Sequence, residues 1–415
     1  MKKIYTGIDL GSFSIKIVVC EVVNNKFHVL AASNTRCKGI KNGLVTDMEE
    51  ASIYLKKAKK EVEDMLGITI DQAVVTVPSI DKDFDIVEGK VNVEDENKMV
   101  SATDINNVFQ DAVLGKVNET KELITITPIF FQVDDKEPVK DPKGMVGESL
   151  FVKAVITSIP KENFRNTVNL LKNGGITPVD VTYGIMGDYY EARNIDFDKS
   201  VSAIINIGYS KTEVSIFNKG IMIKDEMIDS GSKLIDKDLS YVYNLKRSQA
   251  RVLKENFAVS NTRYSDVNDT IELTNKNGDD ITLNQLEVSE VVEARLVDLL
   301  RLAKKQINIL TNREISYIII TGGISELAGF EYVVENVFDR RCSILDINTM
   351  GIRSNMYSSS YGIVKYFHNK LDLRGLSYSM VSEKEANNLI STKGKTLNNS
   401  HDNIISKVFS YFSGE

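Results

Sequence analysis

The hydrophobic pattern at the start of the chain alternates, becomes helical and alternates again. The runs K-I-Y-T-G-I-D-L and S-I-K-I-V-V-C-E-V-V predict two strands separated at Gly11 and Ser12, and Asn24 and Asn25 predict a turn after the second strand. From about residue 47 to residue 66, apolar positions follow the spacing of an amphipathic helix. Its predicted buried face consists of Ala51, Leu55, Ala58, Val62, Met65 and Leu66. The strand A-V-V-T-V-P comes next, so this region predicts mixed α/β packing.

A second copy of this pattern begins about half a chain later. The segment V-S-A-I-I-N-I-G-Y-S-K-T-E-V-S-I-F predicts a strand, a small-residue turn and another strand. Two halves that start alike indicate an internally duplicated fold with a cleft between the halves. Strands and one helix, V-S-A-T-D-I-N-N-V-F-Q-D-A-V, interrupt the first half between about residues 81 and 159. The polar residues 371–402 predict a linker.

Composition narrows the classes of function. Of the 415 residues, 42% are hydrophobic and 26% are charged, which is typical of a folded protein. The net charge of −7 argues against a nucleic-acid partner. Cys20, Cys37 and Cys342 lack metal-ligand spacing, which predicts a reducing cytoplasm and no structural metal. An apolar run from residue 4 leaves no room for a signal peptide, and no run of 18 apolar residues predicts a transmembrane helix.

Two similar turns carry the first candidate chemistry. Around the N-terminal turn, Asp9, Gly11, Ser12 and Lys16 combine backbone N–H groups and a cation for phosphate with a carboxylate for hydrated magnesium. Alone, this turn is also consistent with a structural hairpin. The second turn, N-I-G-Y-S-K-T, is again small and hydroxyl-rich after a buried strand. In a duplicated fold it lies where a partner loop would close on the phosphates.

A third turn, T-G-G-I-S-E-L-A-G, follows the buried strand Y-I-I-I. The strand is predicted to end at Gly322 and Gly323, and a helix is predicted to start near Ser325 with Glu326 early in it. Such a turn lets backbone pack against a flat ring. Three turns in this order therefore predict nucleotide binding.

Together the turns resemble the phosphate 1, phosphate 2 and adenosine motifs of the superfamily of actin, sugar kinases and heat-shock chaperones, among which fold alone does not choose. The segments E-L-I-T-I-T-P-I-F-F-Q-V-D and P-K-G-M-V-G-E-S-L resemble the insertion domain of the FtsA family of bacterial cell-division proteins. The matching positions are Pro142, Gly144, Met145, Gly147 and Leu150. I-D-S-G-S-K-L-I-D-K-D-L-S and V-V-E-A-R-L-V-D-L-L also resemble FtsA, so the resemblance extends from residue 4 to about residue 370.

This resemblance implies an α/β, actin-like (ribonuclease H-like) duplicated fold. Two lobes would enclose a nucleotide cleft, and the first lobe would carry a small α+β insertion domain. The implied subdomains are 1A at 1–80 and 160–198 with part of 360–380, 1C at 81–159, 2A at 199–228 and 308–370, and 2B at 229–307.

The resemblance also implies ATP and Mg²⁺ as ligands, with Asp9 holding the metal through water. The implied nucleotide-binding residues are Asp9, Gly11, Ser12, Phe13, Lys16, Asn206, Gly208, Tyr209, Ser210, Lys211, Thr212, Gly231, Ser232, Lys233, Arg251, Lys254, Gly322, Gly323, Ile324 and Ser325. Asn206 replaces the Asp that relatives usually carry, which predicts weaker metal binding and at most weak ATP hydrolysis. Arg251 stands where many relatives have Glu, although Lys254 is retained. No catalytic base can be named, since no histidine lies near these motifs.

The end of the chain, D-N-I-I-S-K-V-F-S-Y-F-S-G-E, has the spacing of an amphipathic helix over residues 403–415. Its predicted membrane-contacting residues are Ile404, Ile405, Lys407, Val408, Phe409 and Phe412. The segment resembles the membrane-targeting helix of FtsA. The alternative is a helix that docks on its own domain or on a partner.

The resemblance implies a protein at the cytoplasmic face of the cell membrane, at the division site. Its implied partners are the FtsZ C-terminal tail, other copies of itself in a filament, later division proteins and the membrane, without nucleic acid. The alternative is an actin-like scaffold of a membrane assembly machine, of the PilM type, and the C-terminal tail discriminates between the two. A sugar kinase is disfavoured because no proton-accepting Asp and no substrate-binding insertion can be identified.

Overall fold

Two five-stranded sheets organise the chain, which a computed structural model describes at residues 3–338, 342–386 and 389. The strands are β1 (Lys3–Leu10), β2 (Ser14–Val23), β3 (Lys26–Arg36), β4 (Ile40–Lys41), β5 (Leu44–Val45), β6 (Gln72–Val77), β7 (Asp83–Asn92), β8 (Lys121–Val133), β9 (Ser149–Pro160), β10 (Thr177–Tyr183), β11 (Val201–Ile207), β12 (Thr212–Asn218), β13 (Ile221–Ile228), β14 (Thr270–Thr274), β15 (Asp280–Asn284), β16 (Tyr317–Thr321) and β17 (Cys342–Ile344). The helices are α1 (Met48–Leu66), α2 (Ala102–Val113), α3 (Lys161–Asn173), α4 (Gly184–Ala192), α5 (Lys233–Val242), α6 (Arg247–Asn256), α7 (Gln285–Leu310), α8 (Phe330–Phe338) and α9 (Ser358–Leu373).

The two sheets have the same topology. The first has the order β10-β6-β1-β2-β3, and the second has the corresponding order β17-β16-β11-β12-β13. In the first sheet, β1, β2 and β3 form an antiparallel meander, and β6 and β10 run parallel to β1. In the second sheet, β11, β12 and β13 form the meander, and β16 and β17 run parallel to β11. The predicted internal duplication is therefore confirmed. The N-terminal hairpin is confirmed as well, because Asn24 and Asn25 adopt the positive φ angles that a tight two-residue turn requires.

Helices cover both faces of the first sheet. The helices α1 and α3 pack on its outer face, and α9 packs on its inner face with α4 beside it. On the second sheet, α7 and α8 take the outer positions. The helix α4 also contacts β11, so α4 and α9 lie between the two sheets and connect the halves.

Glycines allow α4 and α9 to cross at backbone contact. A Cβ atom on Gly362 would lie 1.8 Å from the carbonyl oxygen of Gly187, and one on Gly187 would lie 2.3 Å from that of Ser359. The strand β1 approaches just as closely, because a Cβ on Gly7 would lie 2.1 Å from the carbonyl oxygen of Ser360. No side chain fits at these points. The start of α9 is thereby held against both α4 and β1.

Each half carries an insertion at a different point. In the first half, β7, β8, β9 and α2 form a separate three-stranded sheet with a helix on one face and a core of its own. The helix α2 begins at a capping box between Ser101 and Asp104. In the second half, α5, α6 and the β14–β15 hairpin lie between β13 and α7. Within the described residues, no helix is long and apolar enough to cross a membrane.

Two details of the predicted helices were wrong. Met65 is exposed, because the buried stripe of α1 passes through Val62 and Leu66. No helix starts near Ser325; a single 3-10 turn over Gly323–Glu326 is followed by a bend at Gly329, whose φ is +78°, before α8 begins.

The predicted linker also starts too early. The helix α9 continues to Leu373, Met380 donates its backbone N–H to the carbonyl oxygen of Ile4, and Val381 and Ala386 are buried in the first-half core. This stretch is polar on average, so its composition does not reveal the few apolar residues that pack on the first-half core. The helix predicted at residues 403–415 lies outside the described residues.

The glycine crossing predicts a specific intolerance to a methyl group. Gly362→Ala should lower the free energy of unfolding by about 3 kcal/mol, at the upper end of overpacking effects, because backbone must move to admit the new atom. Thermal unfolding monitored by circular dichroism would measure this. The control is Gly323→Ala, whose Cβ would have its nearest neighbour at 3.8 Å. Equal melting temperatures for the two variants would contradict the prediction.

Candidate functional site

A cleft of about 500 Å³ opens between the two sheets, where the turns after β1, β11 and β16 meet. Ligand sites of mixed α/β folds commonly lie at such strand ends. The cleft brings together most of the residues predicted from sequence. Those on its wall are Asp9, Gly11, Ser12, Phe13, Lys16, Asn206, Gly208, Tyr209, Ser210, Lys211, Ser232, Lys254, Gly322, Gly323 and Ile324.

The remaining predicted residues lie outside the lining and stabilise it. Thr212 donates its hydroxyl to the carbonyl oxygen of Ser230, and Ser325 donates to that of Gly322. The backbone N–H of Lys233 donates to the carbonyl oxygen of Tyr209. Gly231 fits tightly beneath the second turn, since a Cβ there would lie 2.7 Å from the Gly208 oxygen. Arg251 contacts the two hairpin turns from the side.

The first turn presents an ion pair to the cleft. Lys16 Nζ lies 3.0 Å from Asp9 Oδ2, and Thr76 Oγ1 donates to Asp9 Oδ1 at 3.1 Å. Both carboxylate oxygens are therefore held in place. Gly11 keeps the turn clear, because a Cβ would lie 2.9 Å from Lys16 Nζ. The Lys16 ammonium remains on the cleft wall, where it could donate to an anion.

Aromatic rings join the two hairpin turns across the cleft. The rings of Phe13 and Tyr209 have centroids 4.8 Å apart, and the Arg251 guanidinium carbon lies 4.5 Å from the Phe13 centroid and 4.9 Å from that of Tyr209. Buried Asp236 holds this cation, with Arg251 Nε at 3.0 Å and Lys254 Nζ at 2.7 Å. The second turn and the helix α6 thus form one connected unit.

The third turn depends on a glycine conformation. Gly322 has φ +106° and ψ 158°, which other residues rarely adopt, and a Cβ there would lie 2.4 Å from the Ile207 carbonyl oxygen. The backbone of this turn therefore packs directly on the end of β11. Asn355 donates its side-chain N–H to Ser325 Oγ at 2.9 Å and its backbone N–H to Glu326 at 2.6 Å, which fixes the turn from behind.

Ser358 and Ser359 line the cleft, with buried Asp188 behind them, and sequence reasoning missed all three. Asp188 accepts hydrogen bonds from Asn206 Nδ2 at 2.6 Å, Ser358 Oγ at 2.6 Å and Ser359 Oγ at 2.9 Å. Burial raises the pKa of Asp188 to about 6, against the lowering effect of these hydrogen bonds. The only local signal was an Asp in an otherwise apolar helix start, G-I-M-G-D, since the partners lie 18 and 170 residues away.

A buried charge cluster ties the first insertion to the second half. Lys82, at the start of the insertion, pairs with Asp225 at 2.8 Å and lies 3.7 Å from Glu213 on the cleft wall. Its ammonium also lies 3.9 Å from the centroid of the Tyr183 ring. Burial and the neighbouring Asp225 carboxylate raise the pKa of Glu213, more than Lys82 lowers it.

The residues of the cleft fit a magnesium nucleotide better than a protein-bound metal. Among the described residues, no group of three or more His, Cys, Asp or Glu side chains is placed to hold a metal ion. Mg²⁺ usually keeps several waters and binds one or two carboxylates together with substrate phosphates. Asp9 offers such a carboxylate, Lys16 offers a phosphate donor, and the glycine turns leave room for close backbone approach.

Sequence comparisons match the second half of the chain and the insertion in the first half. A family model described as cell division protein FtsA matches residues 203–362, and a model described as the SHS2 domain inserted in FtsA matches residues 83–158, together more than half of the chain. The chain is 25% identical to the cell division protein FtsA of Enterococcus faecalis over 92% of this chain and 87% of the relative. With that of Bacillus subtilis it is 22% identical over 92% and 88%.

Comparison with solved structures shows an actin-like fold. The chain is similar to a chain of the PilM-PilN type IV pilus biogenesis complex, with TM-score 0.57, 14% identity and coverage of 90% of this chain and 99% of the other. It is also similar to MreB 5 of Spiroplasma citri bound to AMPPNP, with TM-score 0.54, 13% identity and coverage of 90% and 99%. The predicted actin-like fold with an insertion in its first half is thereby confirmed.

The raised pKa of Glu213 predicts how stability depends on pH. The folded chain keeps the Glu213 proton above the ordinary carboxyl pKa of 4.5, whereas the unfolded chain releases it, so this group's contribution to stability falls as pH rises toward the raised pKa. Glu213→Gln should reduce the loss of stability between about pH 4.5 and about pH 8, measured as urea midpoints. Glu255→Gln, an exposed position on the same cleft, is the control. An unchanged or steeper pH dependence in Glu213→Gln would contradict the assignment.

Proposed function

Because this chain belongs to the FtsA family of cell division proteins, we propose that it binds ATP with Mg²⁺ in the cleft and links FtsZ filaments to the cytoplasmic membrane at the division site. The observation that carries the nucleotide part is the convergence of three turns, from both halves of a duplicated fold, on one cleft of about 500 Å³. That volume lies within the range of small-ligand sites.

In this proposal the two hairpin turns hold the phosphates and the third turn supports the base and ribose. Lys16 donates to a phosphate oxygen, and the turns around Gly11 and Gly208, which line the same cleft, supply backbone N–H donors. Asp9 holds the metal through water, because its two oxygens are already fixed by Lys16 and Thr76. The phosphates of the bound nucleotide would supply negative charge that balances Lys16. Its Mg²⁺ would place a cation near Asp9.

We propose that ATP acts mainly as a conformational ligand, with hydrolysis at most weak. Asn206 contributes an amide where a carboxylate would add charge to the metal site. ATP contacts both hairpin turns in this arrangement, so its binding favours a closed cleft. A closed cleft would favour a filament of this chain.

The remaining parts of the proposal concern regions beyond the cleft. The chain divides into the 1A, 1C, 2A and 2B subdomains. The 229–307 region binds the FtsZ C-terminal tail, and the 81–159 insertion binds later division proteins. The 403–415 segment is the membrane-binding helix. One weakly basic helix binds a membrane reversibly, but a filament that presents many of them gains avidity.

A PilM-like scaffold is the second candidate, and it is favoured by one observation. The similarity to a chain of the PilM-PilN complex spans 99% of that chain. The SHS2 match at residues 83–158 favours FtsA, because the model describes a domain inserted in that family. Membrane binding by the C-terminal segment would separate the two.

Lys16→Met tests the nucleotide site. Loss of a charge-assisted hydrogen bond to phosphate should weaken ATP binding in the presence of Mg²⁺ by about 10- to 100-fold, measured by isothermal titration calorimetry. Lys59→Met is the matched control, since Lys59 has 13% side-chain exposure against 15% for Lys16 but lies on α1, away from the cleft. Equal ATP affinity in both variants would place the phosphates elsewhere.

Sedimentation with anionic phospholipid vesicles tests the membrane role. The full chain should pellet several-fold more with ATP and Mg²⁺ than without, and should bring FtsZ into the pellet, because filament formation multiplies weak helix contacts. A chain truncated after Ser400 should remain in the supernatant with FtsZ. If neither form pellets under any condition, the soluble PilM-like scaffold is favoured.

A further inference from the structure

Asn206 and Asp188 form a polar pair at the boundary between the halves. Asn206 is near the end of β11 in the second half, and Asp188 is on α4, which follows the last strand of the first half. Asn206 Nδ2 lies 2.6 Å from Asp188 Oδ2 and 3.4 Å from Ser359 Oγ. Asn206 and Ser359 are both on the cleft wall. The pair therefore connects a buried carboxylate to the candidate nucleotide site.

The groups that donate hydrogen bonds to the Asp188 carboxylate are all neutral, and the Asp9 carboxylate acts on it by charge repulsion. Asp188 Oδ1 accepts from Ser358 and Ser359, and Ser358 in turn accepts from Thr321 at 3.0 Å. Asp188 is fully buried, and within the described ranges no Lys, Arg or His pairs with it. A buried carboxylate without a cation is costly, and its field is weakly screened. Its negative charge therefore acts on whatever occupies the adjacent cleft.

The carboxylate also fixes the direction of the Asn206 amide. An ionised carboxylate only accepts hydrogen bonds, so the amide NH₂ faces Asp188 and the amide oxygen must face away. That oxygen faces Gly322 of the third turn, 3.1 Å from where a Cβ on Gly322 would be, and both residues are on the cleft wall. A flipped amide would place its oxygen against the Asp188 carboxylate, where the two would repel.

We propose that Asp188 is a positioning residue that holds the Asn206 carbonyl oxygen toward the cleft and adds negative charge behind it, so that Asn206 can order a water of the nucleotide-bound cation. Asp188 has no exposed oxygen with which to bind the cation itself. Carboxylates that hydrogen-bond a ligand side chain commonly orient it in this way and strengthen metal binding. The inference rests on the proposed binding of ATP with Mg²⁺.

Asp188→Asn tests this role with a change of one atom. An amide at 188 can pair with Asn206 in either orientation and carries no charge, so the advantage that Mg²⁺ gives to ATP binding should fall about tenfold or more. ATP affinity in EDTA should not fall, because without the cation the Asp188 charge only repels the phosphates. Both are measured by calorimetry on the full chain. Asp104→Asn is the control, because Asp104 is also buried and hydrogen-bonded but lies in the insertion, away from the cleft.

A reciprocal exchange separates positioning from simple structural damage. Asn206→Asp alone places two carboxylates at hydrogen-bond distance, which should lower the melting temperature of the metal-free chain. The double variant Asp188→Asn with Asn206→Asp restores an amide–carboxylate pair with the carboxylate toward the cleft. It should recover both the melting temperature and the Mg²⁺ dependence that the single variants lose.

Two results would overturn the inference in different ways. If the unaltered chain binds no ATP with or without Mg²⁺, the proposed function fails and this inference fails with it. If the unaltered chain binds ATP with Mg²⁺ dependence and Asp188→Asn keeps that dependence, or the double variant recovers nothing, the positioning role alone is refuted.

Discussion

The contact between the α4 and α9 backbones at Gly187 and Gly362 sets the geometry of the whole molecule. These two helices lie between the sheets, so their separation determines how far apart the halves stand. Side chains at the crossing would push the helices apart by at least an atomic diameter. The close approach also brings the start of α9 beneath the cleft, and Ser358 and Ser359 thereby reach Asp188. The same glycine contact thus sets the spacing of the two helices and the hydrogen bonds to Asp188.

Charges at the cleft join elements that are distant in the chain. Asp236 holds Arg251 and Lys254 of α6 against the second turn, and Lys82 joins the first insertion to the second sheet. Buried pairs of this kind contribute little net stability relative to apolar packing, but losing one partner leaves an uncompensated charge. They therefore hold a particular arrangement of the two halves. Asp188 differs, because its hydrogen-bond donors are all neutral side chains and no cation pairs with it among the described residues.

Similarity in structure gives the fold of this chain, whereas similarity in sequence gives its family. Similarity to PilM and MreB structures at 13–14% identity gives the architecture, which many functions share. The insertion with its own sheet and core distinguishes the chain, and its match to the SHS2 domain agrees with the match over the second half. Nucleotide binding, in the proposed function, then belongs to the shared cleft, while division partners belong to the insertions.

The sequence alone determined the duplication, the insertion and the three turns of the cleft, because these leave local signals in residue spacing and in small residues at strand ends. It did not determine that residues 374–386 pack on the first half, since the few apolar residues there, such as Met380 and Val381, are outnumbered by polar ones. Its one local signal for Asp188, an Asp in an otherwise apolar helix start, did not identify that residue as part of the site. Only tertiary structure decided that contact, because a hydrogen bond between residues 18 or 170 positions apart depends on how the helices cross and not on any periodic pattern along the chain.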